Sequence, residues 1–526
     1  MPCSISRGLR IYCRVLSILI LAVANACVLP VTCAEQESEA IPTGALARLV
    51  TGSADDARCW APVSISGDGS RIAVGAEDRS VIVFEWPSGT RLGSFGGNSE
   101  RAHDVSLSED GGVLASGGPD GVLNVWDTTS GRTLFSKAVS DGLVAVAVSP
   151  TADWVAAAGG TGGKIYVWSK TSGDVSTTLP GSSDLVFDLA FSRKSGCLAS
   201  CSDDACIRVW DIQSGSPLEV FRIPRGPRED RYPTSVCFSG DGRMLLSGDS
   251  TGRLRLYDLS AGSLAWMTRS GSGEVSGCGF VTGSYAFASL TPFGRFDLFA
   301  PWSKEPLSTR GASSAGVNTT LEVADSGRIL VTGGRGYTAI VWDASEVAEL
   351  AKNRLSTVVP TDSDLAAAWG CLGDFDGRRA WSALLALLVR PEFSLPLLQD
   401  QLLQSPAGDL ETVLRQVRAL DDDNPEERDR ATAELLAGDV DPFLDDALKR
   451  TSSPEAIARL TEVIHTRRDG LRVSCSSDLQ RSRAIQILEM LDSEAARKVL
   501  GRVVAKSRYP RACRDAREAL DRMKRR

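Results

Sequence analysis

Only two histidines occur in the 526 residues, His103 and His465, so any Ser-His-Asp or Cys-His relay would have to recruit one of them. Neither stands in a recognisable motif, and a lone histidine is ordinary surface. The cluster Gly159, Gly160, Gly162, Gly163 and Lys164 has the composition of a phosphate loop. Yet Ala158 stands where the first glycine belongs, Ile165 replaces the Ser or Thr, and a strand-like run follows instead of a helix, so it reads as a hairpin turn. Asp203-Asp204 lacks calcium-loop spacing. Cys201 and Cys206 flank SDDA; in a hairpin they could be directly opposed, as a disulfide or simply as small apolar strand residues. Adding Cys197 does not make the CxxC spacing of a zinc site. No catalytic, cofactor or metal constellation is therefore expected.

The elements that would hold such residues repeat. Phe84, Trp126, Trp168, Trp210, Tyr257, Phe299 and Trp342 each close a short strand-like run, at steps of 42, 42, 42, 47, 42 and 43 residues. Eighteen or nineteen residues before each comes another strand end: Ser66, Ser108, Ser149, Ser192, Ser239, Val281 and Ala324. Turns such as Gly67 to Gly69, Glu109 to Gly111 and Gly240 to Gly242 follow several of these. Such a period, with a tight turn and alternating strands, is the signature of four-stranded blades around an axis.

With Trp126-Asp127, Trp210-Asp211 and Trp342-Asp343, softened to Tyr257-Asp258 and Phe84-Glu85 elsewhere, the chain resembles the WD-repeat family over residues 44 to 345. The resemblance implies a seven-bladed β-propeller that binds protein partners. The family's turn Asp is kept at Asp78, Asp120 and Asp204 and lost at Gly162, Thr251, Phe293 and Gly336; its His is mostly missing. Blade 6, roughly residues 273 to 302, departs most.

Ala47 to Thr51 is a lone strand, and the seventh repeat ends at Asp343 after three strands. Ring closure by the N-terminal strand is expected, because an open ring wets two apolar blade faces; about 1,000 Å² of such surface is worth up to ~25 kcal/mol gross.

The five extra residues of the 47-residue step fall in residues 223–233, IPRGPREDRYP, between the outer strand of blade 4 and the inner strand of blade 5. Arg225, Arg228, Glu229, Asp230, Arg231 and Tyr232 supply forked donors, carboxylates and an amphipathic aromatic, types suited to a partner interface. In the WD-repeat family that connection lies on a face commonly used for partners. A tolerated polar insertion is the plainer alternative.

Residues 1–34 differ in kind. Arg7, Arg10 and Arg14 precede the apolar run Val15 to Ala24, and small residues follow up to Ala34, which reads as a secretory signal peptide. An uncleaved membrane anchor and lipidation at Cys27 are the rivals, and each places the body outside the cytoplasm. Nine of the thirteen cysteines follow Ala34, an odd number with no disulfide-framework spacing.

Residues 35–43 read as a linker, and 346–360 as a second one that opens on a helical pattern at Glu346 to Leu355. From 361 to 526 the apolar period becomes about 3.6, in ten short helical stretches from Asp364 to Met523 that look like HEAT-type repeats. This segment is also similar to the helical tail that follows WD repeats in some exported bacterial proteins. The acidic run Asp421 to Asp423 reads as a solvated helix start. The basic end from Arg511 to Arg526 reads as a favourable helix C-terminus, with a polyanion or membrane-headgroup contact as the alternative.

The expected architecture is thus multidomain β + α, a seven-bladed β-propeller followed by an α-helical repeat domain. A net charge of −8 argues against a general nucleic-acid binder. The expected role is an exported, non-enzymatic protein-interaction scaffold without cofactor. Two alternatives are a structural envelope component, and an enzyme or small-molecule binder using the central channel. The latter would need carboxylates, His or Arg converging on the axis, and strands such as VAVAVS (144–149) and SVCFS (235–239) look too plain to supply them. A channel lined by clustered titratable groups would put that reading first.

Overall fold

The computed structural model describes residues 42, 45–52, 61–139, 142–159, 162–181, 185–193, 196–224, 231–271, 273–281, 286–292, 294–303, 305–311, 320–324, 327–334, 336–355, 360–406 and 408–525. Seven antiparallel four-stranded sheets follow one another along the chain as blades 1 to 7. Their inner strands are Val63–Ile65, Asp104–Leu107, Leu143–Val148, Val186–Phe191, Pro233–Phe238, Gly277–Val281 and Thr320–Val323. Blade 6, the least regular in sequence, still has all four strands.

The ring closes as the sequence implies. Ala45–Val50 pairs antiparallel with Thr338–Asp343, setting Ala45 opposite Trp342 and Val50 opposite Thr338, and so supplies the outer strand of blade 7. Leu49 is buried with Val331, Ala339 and Val341, which ties the closing strand to the core between blades 7 and 1.

The serines that mark each strand end have a physical task. Ser66, Ser108, Ser149 and Ser239 accept the backbone N–H of Arg71, Val113, Trp154 and Met244 at 2.9, 2.9, 3.0 and 2.9 Å. Each one closes the turn to the second strand. The repeat aromatics fill the seams: Trp126, Trp210 and Trp342 are fully buried, and Trp210 and Trp342 donate to Ser200 and Thr332 at 2.9 and 3.0 Å. Blade 5 does not lack its turn carboxylate after all. Asp249, two residues before Thr251, accepts from Thr251 N, Thr251 Oγ1 and Arg253 N and pairs with Arg255 at 2.8 Å. The glycine-rich stretch joins strands Trp154–Gly159 and Ile165–Ser169, which pair antiparallel, and residues 160–161 of it lie outside the described residues. A Cβ on Gly159 would lie 2.1 Å from the Gly142 carbonyl oxygen, so the adjacent backbone excludes any side chain there.

Eleven helices follow among the described residues: α1 Val347–Leu355, α2 Asp362–Leu372, α3 Gly377–Val389, α4 Pro391–Leu403, α5 Leu410–Ala419, α6 Pro425–Ala437, α7 Asp441–Arg450, α8 Pro454–Asp469, α9 Ser476–Leu491, α10 Glu494–Lys506 and α11 Pro510–Arg525. Caps set several starts: Asn424, Ser453 and Ser493 accept from Glu426, Ala456 and Ala496 N–H groups. Helices α5 to α8 share their own apolar core around Val413, Leu435, Leu444 and Leu460. Helices α2 to α4 and α9 to α11 pack in one continuous core with blades 5 and 6, from Leu246, Leu256, Phe287 and Phe299 to Trp381, Leu387, Leu488 and Leu500. Helix α1, within the segment read as a linker, instead buries Val347 and Ala351 against Leu298, Leu330 and Trp342 of blades 6 and 7. No single described helix is long and apolar enough to cross a membrane.

Candidate functional site

Of the loop singled out in the sequence, residues 225–230, including Arg225, Arg228, Glu229 and Asp230, lie outside the described residues. Arg231 and Tyr232 are described and half-buried. The Tyr232 carbonyl accepts Ser250 N–H at 3.0 Å, and its ring centre lies 5.3 Å from that of Phe187 on the neighbouring inner strand. Tyr232 is thus packed at the mouth of the ring rather than extended into solvent.

Strand alternation gives that loop an address. In a four-stranded antiparallel blade the first and third turns share one end of the ring, and the second turn and the connection to the next blade share the other. The helical region docks at the first end. Arg483 forks onto Asp258 at 2.7 and 3.0 Å and also donates to the Leu372 and Asp374 carbonyls. Arg243 pairs with Asp515 at 2.9 Å, Val473 N–H bonds the Ser260 carbonyl, and Trp381 Nε1 donates to the Pro301 carbonyl at 3.0 Å. In blades 2, 4 and 7 the equivalent carboxylates Asp127, Asp211 and Asp343 accept N–H groups of their own turns; Asp258 does the same with one oxygen, accepting Ala261 N–H at 3.2 Å, and takes Arg483 of the helical region on the other. Arg231 and Tyr232, which lead into the inner strand of blade 5, stand at the opposite end, with the exposed residues Arg79, Ser99, Glu100, Arg101 and His103.

All seven inner strands line an axial cavity of about 390 Å³. Contrary to the expectation of plain walls, Asp104, Asp188 and Glu322 face it from blades 2, 4 and 7, with Arg193 and His103. Two of these carboxylates also staple the ring. Asp104 accepts Val105 N–H on its own strand and Val146 N–H on the next blade at 2.9 and 2.7 Å. Asp188 accepts Leu189 and Val236 N–H groups, both at 2.8 Å. Ser64, Ser106 and Ser235 make the same inter-blade bond to Leu107, Val148 and Cys278. Enclosure by protein pushes Asp104 up to about 7, its two N–H donors opposing and the charge of Asp188 adding. Enclosure likewise pushes Asp188 up to about 6. Glu322, open to channel water yet ringed by protein, is pushed up to about 8 by that enclosure and by the charges of Asp104 and Asp188. At the mouth, enclosure lowers His103, with Glu100 opposing. Among the described residues no three His, Cys, Asp or Glu side chains are grouped closely enough to hold a metal ion. The carboxylates feel one another's fields without forming a ligand sphere.

Of the two readings of Cys201 and Cys206, small apolar strand residues is the one the structure bears out, since both are buried thiols; only their direct opposition fails. The register pairs Cys201 with Ile207, not Cys206, and because adjacent strand residues point to opposite faces, the two thiols diverge. Cys201 is buried with Ile207 and Val209 in the blade 4–5 core. Cys237 and Cys278, which sequence reasoning passed over, come together: their Sγ atoms are 3.8 Å apart on the inner strands of blades 5 and 6. Their separation of 41 residues, close to one repeat, was the available signal.

His465 is exposed and sits 3.2 Å from Asp469 one helical turn on. In the basic end, Arg514, Arg522 and Lys524 pair with Asp469, Glu489 and Asp521, and Arg511 bonds the Arg467 carbonyl. Much of that charge is therefore answered within the fold.

The description of the WD domain, G-beta repeat matches residues 89–127, 173–211 and 221–258. Striatin-4 of Homo sapiens is 38% identical over 104 residues, covering 19% of this chain and 14% of striatin-4. The guanine nucleotide-binding protein subunit beta of Oryza sativa subsp. japonica is 25% identical over 182 residues, 32% of this chain and 47% of that protein. Dynein axonemal assembly factor 10 of Chlamydomonas reinhardtii is 34% identical over 76 residues, 14% of this chain and 21% of that protein. The chain thus spans less than half the length of each of these relatives. The class is defined by fold and repeats together: a seven-bladed β-propeller followed by a helical region. Three stretches of the propeller, 89–127, 173–211 and 221–258, are similar to WD repeats.

Proposed function

We propose that the protein is an exported, non-enzymatic interaction scaffold whose propeller binds a protein partner at the end carrying the 223–233 loop. One observation carries this reading: the helical region docks on the other end at blades 5 and 6, through Arg483, Arg243 and Trp381, so no described helix lies over the end at Arg231 and Tyr232. The match to WD repeats and to striatin and G-protein β relatives supports the interaction role. Export rests on the signal-like residues 1–34, which lie outside the described residues. The α2–α3, α5–α6, α7–α8 and α10–α11 pairs fit a HEAT-like repeat offering a second surface.

Replacing Arg225, Arg228 and Arg231 together by Ala tests the site. The expected result is an unchanged melting temperature and loss of a partner that the parent chain cross-links in envelope fractions. Retention of that partner by the triple variant would move the site elsewhere.

The convergence of Asp104, Asp188, Glu322 and Arg193 on the channel favours a second reading, a small ligand bound on the axis, and brings it well forward of where the sequence left it. The criterion set from the sequence is met only in part: titratable groups line the axis, but among the described residues no three His, Cys, Asp or Glu side chains stand together as a metal site would need. Asp104 and Asp188 also have both carboxylate oxygens engaged by backbone N–H groups, so this reading stays second. No structure-based reason favours a purely structural envelope role.

A further inference from the structure

Two thiols on successive blades face each other across a seam that otherwise has only hydrogen bonds and packing. We infer that Cys237 and Cys278 form an inter-blade disulfide, making the channel wall between blades 5 and 6 a site of covalent oxidative modification.

The geometry carries the inference. The Sγ atoms are 3.8 Å apart, whereas a disulfide needs about 2.05 Å. Side-chain rotation about Cα–Cβ can close that gap if the strands are held at this height, and they are. Ser235 Oγ accepts Cys278 N–H at 3.1 Å, which locks the inner strand of blade 6 against that of blade 5 within two residues of Cys237. Access is also provided. Both cysteines line the axial cavity, and Cys237 is only half-buried, so a small disulfide donor entering the channel meets its sulfur first.

The chemistry balances with a low-molecular-weight disulfide, R–S–S–R, as oxidant. The Cys237 thiolate attacks one donor sulfur, forming a mixed disulfide and expelling one thiolate. The Cys278 thiolate then attacks the Cys237 sulfur, closing the protein disulfide and expelling the second thiolate. The protons lost by the two cysteines end on the two RSH products, and the donor is reduced by two electrons. Enclosure and the neighbouring Cys278 keep the Cys237 thiol well above its ordinary range, so the first step is slow at neutral pH. The bond would close a 41-residue loop joining the two blades on which the helical region docks.

Purified full-length protein is incubated with oxidised glutathione, then unfolded and alkylated, with a dithiothreitol-treated sample as reference. The expected result is loss of two alkylatable thiols and a linked pair of tryptic peptides, 232–243 and 270–295. The melting temperature rises on oxidation and falls back on reduction, and Cys278→Ala abolishes both the link and the shift. Full alkylation of Cys237 and Cys278 after oxidation would overturn the inference. So would linked peptides joining other cysteines, or a glutathione adduct on Cys237 that Cys278 never displaces.

Discussion

Glu322 sits where a carboxylate is least comfortable, ringed by protein and within the field of Asp104 and Asp188. A carboxyl raised in the folded state binds its proton more tightly there than in the unfolded chain, so its contribution to stability is full at low pH and is lost as pH rises through the folded value. For Glu322 that window runs from its ordinary value of 4.5 to about 8, and Asp104 and Asp188 act in the same direction up to about 7 and about 6. Glu322→Gln should therefore leave the melting temperature nearly unchanged at pH 5 and raise it at pH 8, a difference that paired thermal scans measure. An equal shift at both pH values would show that Glu322 is not protonated in the fold. At this scale the sequence was only partly legible. Period-two alternation assigns Asp104, Asp188 and Glu322 to a face of a strand, but that they converge follows from how seven blades tilt around one axis, which no local pattern encodes. The turn at Asp249 was missed for a nearer reason: a carboxylate displaced by two residues can still reach the same N–H groups.

Among the elements, the junction of propeller and helices depends most on one side chain. Arg483 is buried, forks onto Asp258 and satisfies two carbonyls at the end of α2 and beyond it. Removing one partner of a buried, hydrogen-bonded pair strands the other, at a cost of about 3–5 kcal/mol. Arg483→Ala should thus lower the unfolding free energy by that order in a denaturant titration and separate helical from propeller melting; a single unshifted transition would assign the docking to the apolar core alone. The closing strand makes a second element-scale prediction. Deleting residues 45–50 removes the outer strand of blade 7 and uncovers Val341 and Ala339, so the propeller should lose its cooperative transition in circular dichroism instead of melting like the parent. Helix placement was readable from caps and the 3.6 period, with ends shifted by a few residues: Arg379 to Val389 became Gly377–Val389, and Leu479 to Leu491 became Ser476–Leu491. What stayed hidden was which helices would face blades 5 and 6. Asp258 looks in sequence like any other blade aspartate, and its partner lies 225 residues away.

For the molecule as a whole, the seven-fold count and the ring closure were legible because repetition is a global property that spacing records directly. The docking pose was not, because it depends on complementary surfaces that share no period. The closure also has a consequence for how the chain is made. Ala45 waits for Trp342, its partner across the seam, so the earliest-synthesised strand must remain without its neighbour until almost the entire propeller has been produced. Such distant pairing makes for slow folding and for a nascent chain with bare sheet edges. Expression that halts between the first and last blades should leave material that only a holdase keeps from clumping.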